Sequence, residues 1–527
     1  IIEPDPAVAR HAMEQRQLDA LLGHPRVTLL LGPTVNEAFQ HWLGHFSMLA
    51  AGGVSFVNSP NIDKRLPDRF ADEFADQVRG YMHTMAGNLQ TLMVMAHVYQ
   101  ANTLRSMKYL VKNPGVINLT GAFKDVPVLC LAAGPSLAKQ LDRLAPVQDR
   151  ALLIACDTTT RPLLNAGITP HLICAGDPQE ANHRHIAGLA DKIPSYLCAE
   201  PMTYPSSLRE YQQRLFIASF RDRLMNWLEA HVGEIGQVLC WGSVATMVFD
   251  LGRRVGGNPV VFLGQDLSFP GGRTYVPGTY FETELGHVMT AEAQSARQRD
   301  PGLINATDIF GNPVQTNRQM FAYHRWFVRE IALTEPGVDV INATEGGILR
   351  EGVEIRTFDE VVEQYLTAPV NVWDRLASCY ERPMSRDLPK LIEGLGGLNS
   401  ELEEMASTAK TAFRDIGAFY RSMHSMQRLP ETLAQERLQE AEAARRKIFT
   451  GGIGRSLMEM GNQTGIKSFL NANQALGGKS ANLLVYQNAL EAYLKLFASV
   501  VQAVGRIRQP AADALNLANA ALTEGVA

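Results

Sequence analysis

The sequence lacks the short signatures of several enzyme classes. There is no GxxxxGK followed by Ser or Thr, so a P-loop is excluded. There is no GxSxG, which argues against an α/β-hydrolase, and no DxD string to clamp a metal diphosphate. The six cysteines (Cys130, Cys156, Cys174, Cys198, Cys240, Cys379) contain no CxxC pair. Five sit in or beside short apolar runs, so they read as reduced core thiols of a cytoplasmic protein rather than a disulfide framework or a zinc site. No run of about 18 apolar residues occurs, so no membrane insertion is expected. Charge of one sign is also missing. Lys and Arg number 49 against 54 Asp and Glu, a net −5, which makes no electrostatic case for nucleic acid or an anionic membrane. The chain opens at Ile1 without Met or a signal peptide, so a missing preceding segment is expected.

What remains is ordinary globular composition, 46% hydrophobic and 20% charged over 527 residues. At about 150 residues per domain this length suggests roughly three domains. One core rarely grows beyond about 250–300 residues.

Residues 1–62 read as a βαβαβ unit cut at its beginning: a strand end at Ile1-Ile2, a Pro-started helix to Leu22, an apolar run at 27–31, a helix through 41–49 and a run at 54–57. A nucleotide-binding unit would carry its glycine turn ahead of Glu3, so a docking or remnant domain is the expectation. Residues 63–115 read as connecting helices, with Phe70, Phe74, Val78, Tyr81, Met85, Leu89 and Leu92 at helical spacing, ended by Asn113-Pro114-Gly115.

From 116 to 380 the texture changes. Short, continuously apolar runs at 128–131, 152–155, 171–175, 196–199, 215–218, 260–263 and 338–341 are mostly separated by helix-length spacers. Continuous hydrophobicity means strands covered on both faces, hence a largely parallel α/β sheet. In 381–527 strand patterns stop. Leu391, Leu395, Leu398, Leu402, Met405, Ala409, Ala412, Ile416, Phe419 and Met423 form one stripe. Leu483, Tyr486, Leu490, Tyr493, Phe497, Val500, Val504 and Ile507 form another. Spacing near 3.5 is a helix–helix seam, so an antiparallel bundle is predicted, with core packing the plain reading of both stripes. The weakly apolar stretch 451–482 between them reads as a loop or a contact surface.

The chemistry is expected at strand ends. In Val128-Leu-Cys-Leu-Ala-Ala-Gly134-Pro135-Ser136-Leu137 a buried strand turns at Gly134 into a helix that Pro135 begins. The amides of Ser136 and Leu137 would face a phosphate there; the same run also serves as a plain strand-to-helix turn. Asp157 ends the next strand, 23 residues after Gly134, about where doubly wound folds place an acid for a ribose hydroxyl. Asp177 ends the third; either Asp also suits a helix N-cap. Gly242-Ser243 opens an apolar helix. Gly264-Gln265-Asp266-Leu267 leaves a late strand, and Asn342-Ala-Thr-Glu345-Gly-Gly ends the last. His183 and His185 form an HxH without a second pair at metal spacing, so surface histidines and no metal site are expected. Arg445-Arg446-Lys447 is a solvated charge run.

Taken in order, these motifs resemble the Maf (motility-associated factor) flagellin glycosyltransferases, grouped with the MptE-like proteins, over nearly the whole chain. The central domain is also similar to bacterial CMP-sialic acid sialyltransferases. The resemblance implies an α/β fold with a central Rossmann-like, GT-A-like sheet, a partial Rossmann-like N-terminal piece and an all-α C-terminal bundle that recognises the acceptor. It implies a CMP-activated nonulosonic acid of the pseudaminic or legionaminic type as donor, with no further cofactor. The implied acceptor is a Ser or Thr hydroxyl of flagellin, modified before filament assembly and needed for motility, with a flagellar export chaperone as a further partner. Gly134, Ser136 and Leu137 would receive the CMP phosphate. Asp157, Gly242 and Ser243 would line the nucleoside, and Asp177, Gln265, Asp266 and Glu345 would lie nearer the sugar.

One departure matters. The sialyltransferases place a His base late in the domain. The comparable stretch here, Phe310-Gly311-Asn312-Pro313-Val314-Gln315-Thr316, has no His, and Asn cannot remove a proton. Asp266, Glu345 and His287 are the candidate bases, in that order. Two other readings stand beside this one: a 6-hydroxymethylpterin diphosphokinase-like enzyme using ATP and Mg²⁺, and a non-catalytic flagellin-binding or chaperone protein.

Overall fold

The computed structural model describes residues 1–24, 27–35, 37–38, 55–57, 70–284, 302–423, 431–476 and 483–524. They form two compact units, Ile1–Gln90 and Thr91–Ala527.

In the first unit β1 (Ile2–Glu3) pairs in parallel with β2 (Leu30–Leu31). Between them runs α1 (Pro6–Gln15), capped by the Asp5 carboxylate on the Ala7 amide. The helix expected to reach Leu22 stops at Gln15, and a separate turn spans Asp19–Leu22. Residues 55–57 are not a strand, and the helix expected at 41–49 lies outside the described residues. Ala38, Phe74 and Val78 make a small core with Ile2, Val35 and Phe70. Phe70, Phe74 and Val78 lie on α2 (Phe70–Arg105); the side chains of Tyr81, Met85, Leu89 and Leu92 lie outside the described residues.

The second unit is built on eight parallel strands: β3 (Val128–Leu131), β4 (Leu152–Cys156), β5 (Leu172–Ala175), β6 (Tyr196–Ala199), β7 (Leu215–Ile217), β8 (Val260–Leu263), β11 (Val340–Asn342) and β12 (Glu354–Ile355). Their spatial order is β12-β11-β8-β3-β4-β5-β6-β7. Every residue of β3 to β8 is buried, as strands covered on both faces require. Alternate residues feed opposite cores. Val128 and Cys130 pack on one face with Phe249, Phe262 and Phe327. Leu129 and Leu131 pack on the other with Val261 and Ile341. Cys156, Cys174 and Cys198 are register partners across β4, β5 and β6, and all six cysteines are free thiols.

Two strand features differ from expectation. The last predicted run begins two residues later, at Val340. An antiparallel hairpin, β9 (Leu303–Thr307) with β10 (Pro313–Asn317), lies outside the main sheet; its half-exposed residues give no continuous apolar run to find.

The C-terminal helices dock on the β5–β7 half of the sheet. Ile173, Leu197 and Leu215 share one core with Leu395, Leu402, Leu490 and Phe497. Helices α5 (Leu388–Met423) and α9 (Leu483–Thr523) run antiparallel, since Asn399 Nδ2 donates to the Ala511 carbonyl while Arg508 pairs with Glu403. The stretch 451–482 holds two helices, α7 (Ile453–Gly461) and α8 (Gln463–Leu476), which corrects the loop reading. Leu457, Met458 and Phe469 give them a buried face. The Glu401 carboxylate from α5 accepts the Gly454 and Arg455 amides at 3.0 Å, a cap that local sequence does not reveal. Helix α6 (Glu431–Ile448) completes the group.

Candidate functional site

The chain lays down β3 to β7 outward in one direction, then returns to place β8 on the other side of β3. Strand order therefore reverses between β3 and β8. Open parallel sheets bind ligands in the crevice outside the carboxyl ends at such a point. The floor there is small: Ala132, Ala133 and Gly134 follow β3.

One wall is a tightly packed knot of predicted residues. The Ser136 amide donates to Asp266 Oδ2 at 3.0 Å and its hydroxyl to Oδ1 at 2.6 Å. A Cβ on Gly134 would collide with this carboxylate and with the Gly264 carbonyl, and one on Gly346 would collide with the Ser136 hydroxyl. The amide that the sequence offers to a phosphate is thus already given to an internal carboxylate. Leu137 is fully buried, and its amide bonds to the Gly134 carbonyl at 3.1 Å. Burial raises the Asp266 proton affinity, opposed by the two Ser136 bonds and by Lys139. Glu345 is equally committed. Its carboxylate takes the Arg143 guanidinium at 2.9 and 3.0 Å and the Phe358 amide at 3.0 Å. Its carbonyl takes Lys139 Nζ. Gln265, 5% exposed, gives its backbone N–H to Thr344 Oγ1 at 3.1 Å, while its side-chain amide has no hydrogen-bond partner among the described residues.

The opposite wall is acidic and aromatic. Asp157 at the β4 tip is 5% exposed. Its Oδ1 accepts the Thr158 amide at 2.7 Å and hydroxyl at 3.1 Å. Burial, with a smaller push from the Asp177 charge, drives its pKa up to about 7. Asp177 at the β5 tip accepts the Gln179 amide, and burial raises its pKa too. The Tyr99 hydroxyl is raised by burial and by the nearby Asp177 charge.

Above them, Ser243 caps α3 (Val244–Arg254), its hydroxyl accepting the Ala245 amide. Gly242 at φ 72° turns the chain where a Cβ would meet the Tyr323 ring. Only Gly adopts that conformation freely. Tyr323, on α4 (Arg318–Ala332), donates its hydroxyl to the Gly242 carbonyl, and Gln319 donates to Tyr323.

The carboxyl edge therefore carries Gly134, Ser136 and Asp266 as one packed group with Gln265 beside it, Asp157 and Asp177 as a second, and Gly242 and Ser243 at a helix entry. His287 lies outside the described residues. Sequence reasoning missed Tyr323, and it missed Glu200, which ends β6 just as Asp157 ends β4. Glu200 is fully buried, accepts the Phe220 amide at 2.8 Å through Oε1 and leaves Oε2 without a partner among the described residues. Burial lifts its pKa well above the usual range. The HxH pair also departs from its surface reading. His185 is 1% exposed against Phe281, because the helical turn Tyr280–Glu284 folds over it. His183 is held between Ser207 Oγ and Glu210. Among the described residues no group of three or more His, Cys, Asp or Glu could hold a metal ion. No helix there is long and apolar enough to cross a membrane.

Comparison with known proteins agrees with this architecture. Residues 101–272 match the family model described as 6-hydroxymethylpterin diphosphokinase MptE-like. An uncharacterized protein of Treponema pallidum (strain Nichols) is 27% identical over 168 residues, covering 29% of this chain and 42% of that protein. The chain thus spans less than half the length of that relative. The solved Maf glycosyltransferase from Magnetospirillum magneticum AMB-1 shares the fold, with a TM-score of 0.53 and 12% identity over 100% of this chain and 73% of that one. The central segment is similar to the MptE-like family model, and the fold is similar to that of the solved Maf enzyme.

Proposed function

We propose that this protein is a glycosyltransferase that moves a nonulosonic acid, of the pseudaminic or legionaminic type, from a CMP-sugar to Ser or Thr hydroxyls of flagellin. Transfer would take place in the cytoplasm before filament assembly and would serve motility. The observation that carries the reading is the crevice at the β3–β8 reversal in a fold shared with a solved Maf glycosyltransferase.

In this reading the donor lies over the Ala132–Gly134 floor. Its phosphate faces the Gly242–Ser243 end of α3, where an eleven-residue helix presents its positive dipole end. Gln265 and Asp177 offer hydrogen bonds to hydroxyl groups. Gly134, Ser136, Leu137, Asp266 and Glu345 frame the floor. Departure of CMP would draw on positioning and on dipoles aimed at the leaving phosphate. Residues 381–527 would present the acceptor.

Intact-mass measurement of flagellin from cells with and without this protein tests the reading. A mass loss equal to whole sugar residues is expected in the deletion, and an unchanged mass overturns it. One observation favours a second reading, ATP-dependent pterin diphosphorylation: the description of the family model that residues 101–272 match. The helical C-terminal region has no part in that chemistry. Calorimetry separates the two, with binding of CMP expected here and binding of ATP with Mg²⁺ expected there.

A further inference from the structure

Transfer to a hydroxyl needs a group that takes the hydroxyl proton. The two described carboxylates first expected to do so are both held by internal donors. Asp266 has each oxygen on a Ser136 donor. Glu345 has both on Arg143 and one also on the Phe358 amide. Re-aiming Asp266 would break bonds to the buried Ser136, at a cost of about 1–3 kcal/mol, and the Arg143 charge at Glu345 opposes its taking up a proton.

Resting on the glycosyl-transfer reading, we propose that Asp157 is the general base that receives the acceptor proton. Its position at the β4 tip puts it beside the small floor left by β3. Its two oxygens are unequal. Oδ1 is clamped by the Thr158 amide and hydroxyl, which fixes the carboxylate plane. Oδ2 has no hydrogen-bond partner among the described residues. Its titratable neighbours are Asp177 on the β5 tip, Cys156 beneath it and Cys240 on the loop leading to Ser243. Burial holds the two thiols neutral by raising both, and no cation among these neighbours ties up the open oxygen. Such a carboxyl is half ionised at neutral pH, where a base both accepts and releases a proton readily. Asp177, clamped by the Gln179 amide, acts through its charge on Asp157.

In the step, the acceptor oxygen forms its bond to the anomeric carbon as its proton passes to Asp157 Oδ2. The bond from the anomeric carbon to the phosphate oxygen breaks, and CMP leaves with that electron pair. Asp157 then releases the proton to water.

The test uses the full chain with flagellin and CMP-legionaminic or CMP-pseudaminic acid, following rate against pH, and calorimetry with CMP. The wild-type rate should climb through about pH 7 and level off, as a base of this proton affinity requires. Asp157→Asn, nearly the same shape, should lose roughly 10²–10⁴-fold in kcat and show no such climb; loss of CMP binding with kcat kept would assign Asp157 to the nucleoside instead and overturn the proposal. Thr158→Val, which removes a donor to the ionised form, should move the climb to higher pH while the plateau stays near wild type. An Asp157→Asn protein with wild-type kcat and pH profile overturns the proposal and leaves the glycosyl-transfer reading standing. A wild-type protein that neither binds CMP nor transfers either sugar overturns both.

Discussion

Asp266 and Ser136 close on each other through two hydrogen bonds, so a carboxylate from the end of β8 sits where a ligand anion would meet the helix after β3. This pair joins the two strands between which the sheet order reverses. It therefore shapes the crevice by holding its floor together.

Because both partners are buried, breaking the pair should cost stability before it costs chemistry. Ser136→Ala and Asp266→Ala are each expected to destabilise by about 1–3 kcal/mol. In a double-mutant cycle their effects should fall short of additive by about 0.5–3 kcal/mol. Urea unfolding midpoints of the three variants check this. Additive effects would mean that the two side chains do not meet in solution.

Gly346 in this knot and Gly397 in the bundle should respond to a methyl group in opposite senses. A Cβ on Gly346 would press on the Ser136 hydroxyl, so Gly346→Ala should destabilise by roughly 1–3 kcal/mol. Gly397 lies inside α5 with nothing within 4 Å of its Cβ position. Gly397→Ala should stabilise by about 0.5–1 kcal/mol. Thermal unfolding of the two variants gives the signs directly.

Asp157 should leave a mark on stability against pH. Its carboxyl is raised from 3.8 to about 7 by burial. Below about pH 4 it is protonated in both folded and unfolded chains, and its contribution is fully present. Between about 4 and 7 the unfolded chain releases a proton that the folded one keeps, so stability falls as pH rises through that window. His171 and His185, both lowered to about 4 by burial, act in the opposite sense over about 4 to 6.5, losing stability as pH falls. The difference between wild type and Asp157→Asn isolates the carboxyl. That difference should move against wild type as pH rises from 4 to 7; a constant difference would show an Asp157 with an ordinary pKa.

Much of the sheet was legible because burial on both faces writes a continuous apolar run into each strand. The strand-tip polar residues followed from those runs, since a short run that ends in Asp or Gly-Gln-Asp marks the carboxyl edge. Glu200 obeys the same rule after Cys198-Ala199 and could have been found with it. The β9–β10 hairpin was not legible, because half-exposed strands outside the main sheet carry no such run. Helix α7 escaped for a related reason: Glu401, about fifty residues earlier in the chain, supplies the cap that its own Gly-rich entry lacks.

Local sequence, through the length and spacing of its apolar residues, determined the parallel strands, the helical C-terminal region and the edge at which chemistry would sit. Only the tertiary structure decided which of the edge residues are free to act. Ser136, Asp266 and Glu345 look available in the sequence, yet each is engaged by a partner more than a hundred residues away. Asp157, clamped by its neighbour Thr158 through one oxygen alone, keeps the other open. Partners at that range are set by strand order, and strand order is a property of the folded sheet rather than of any one run of residues.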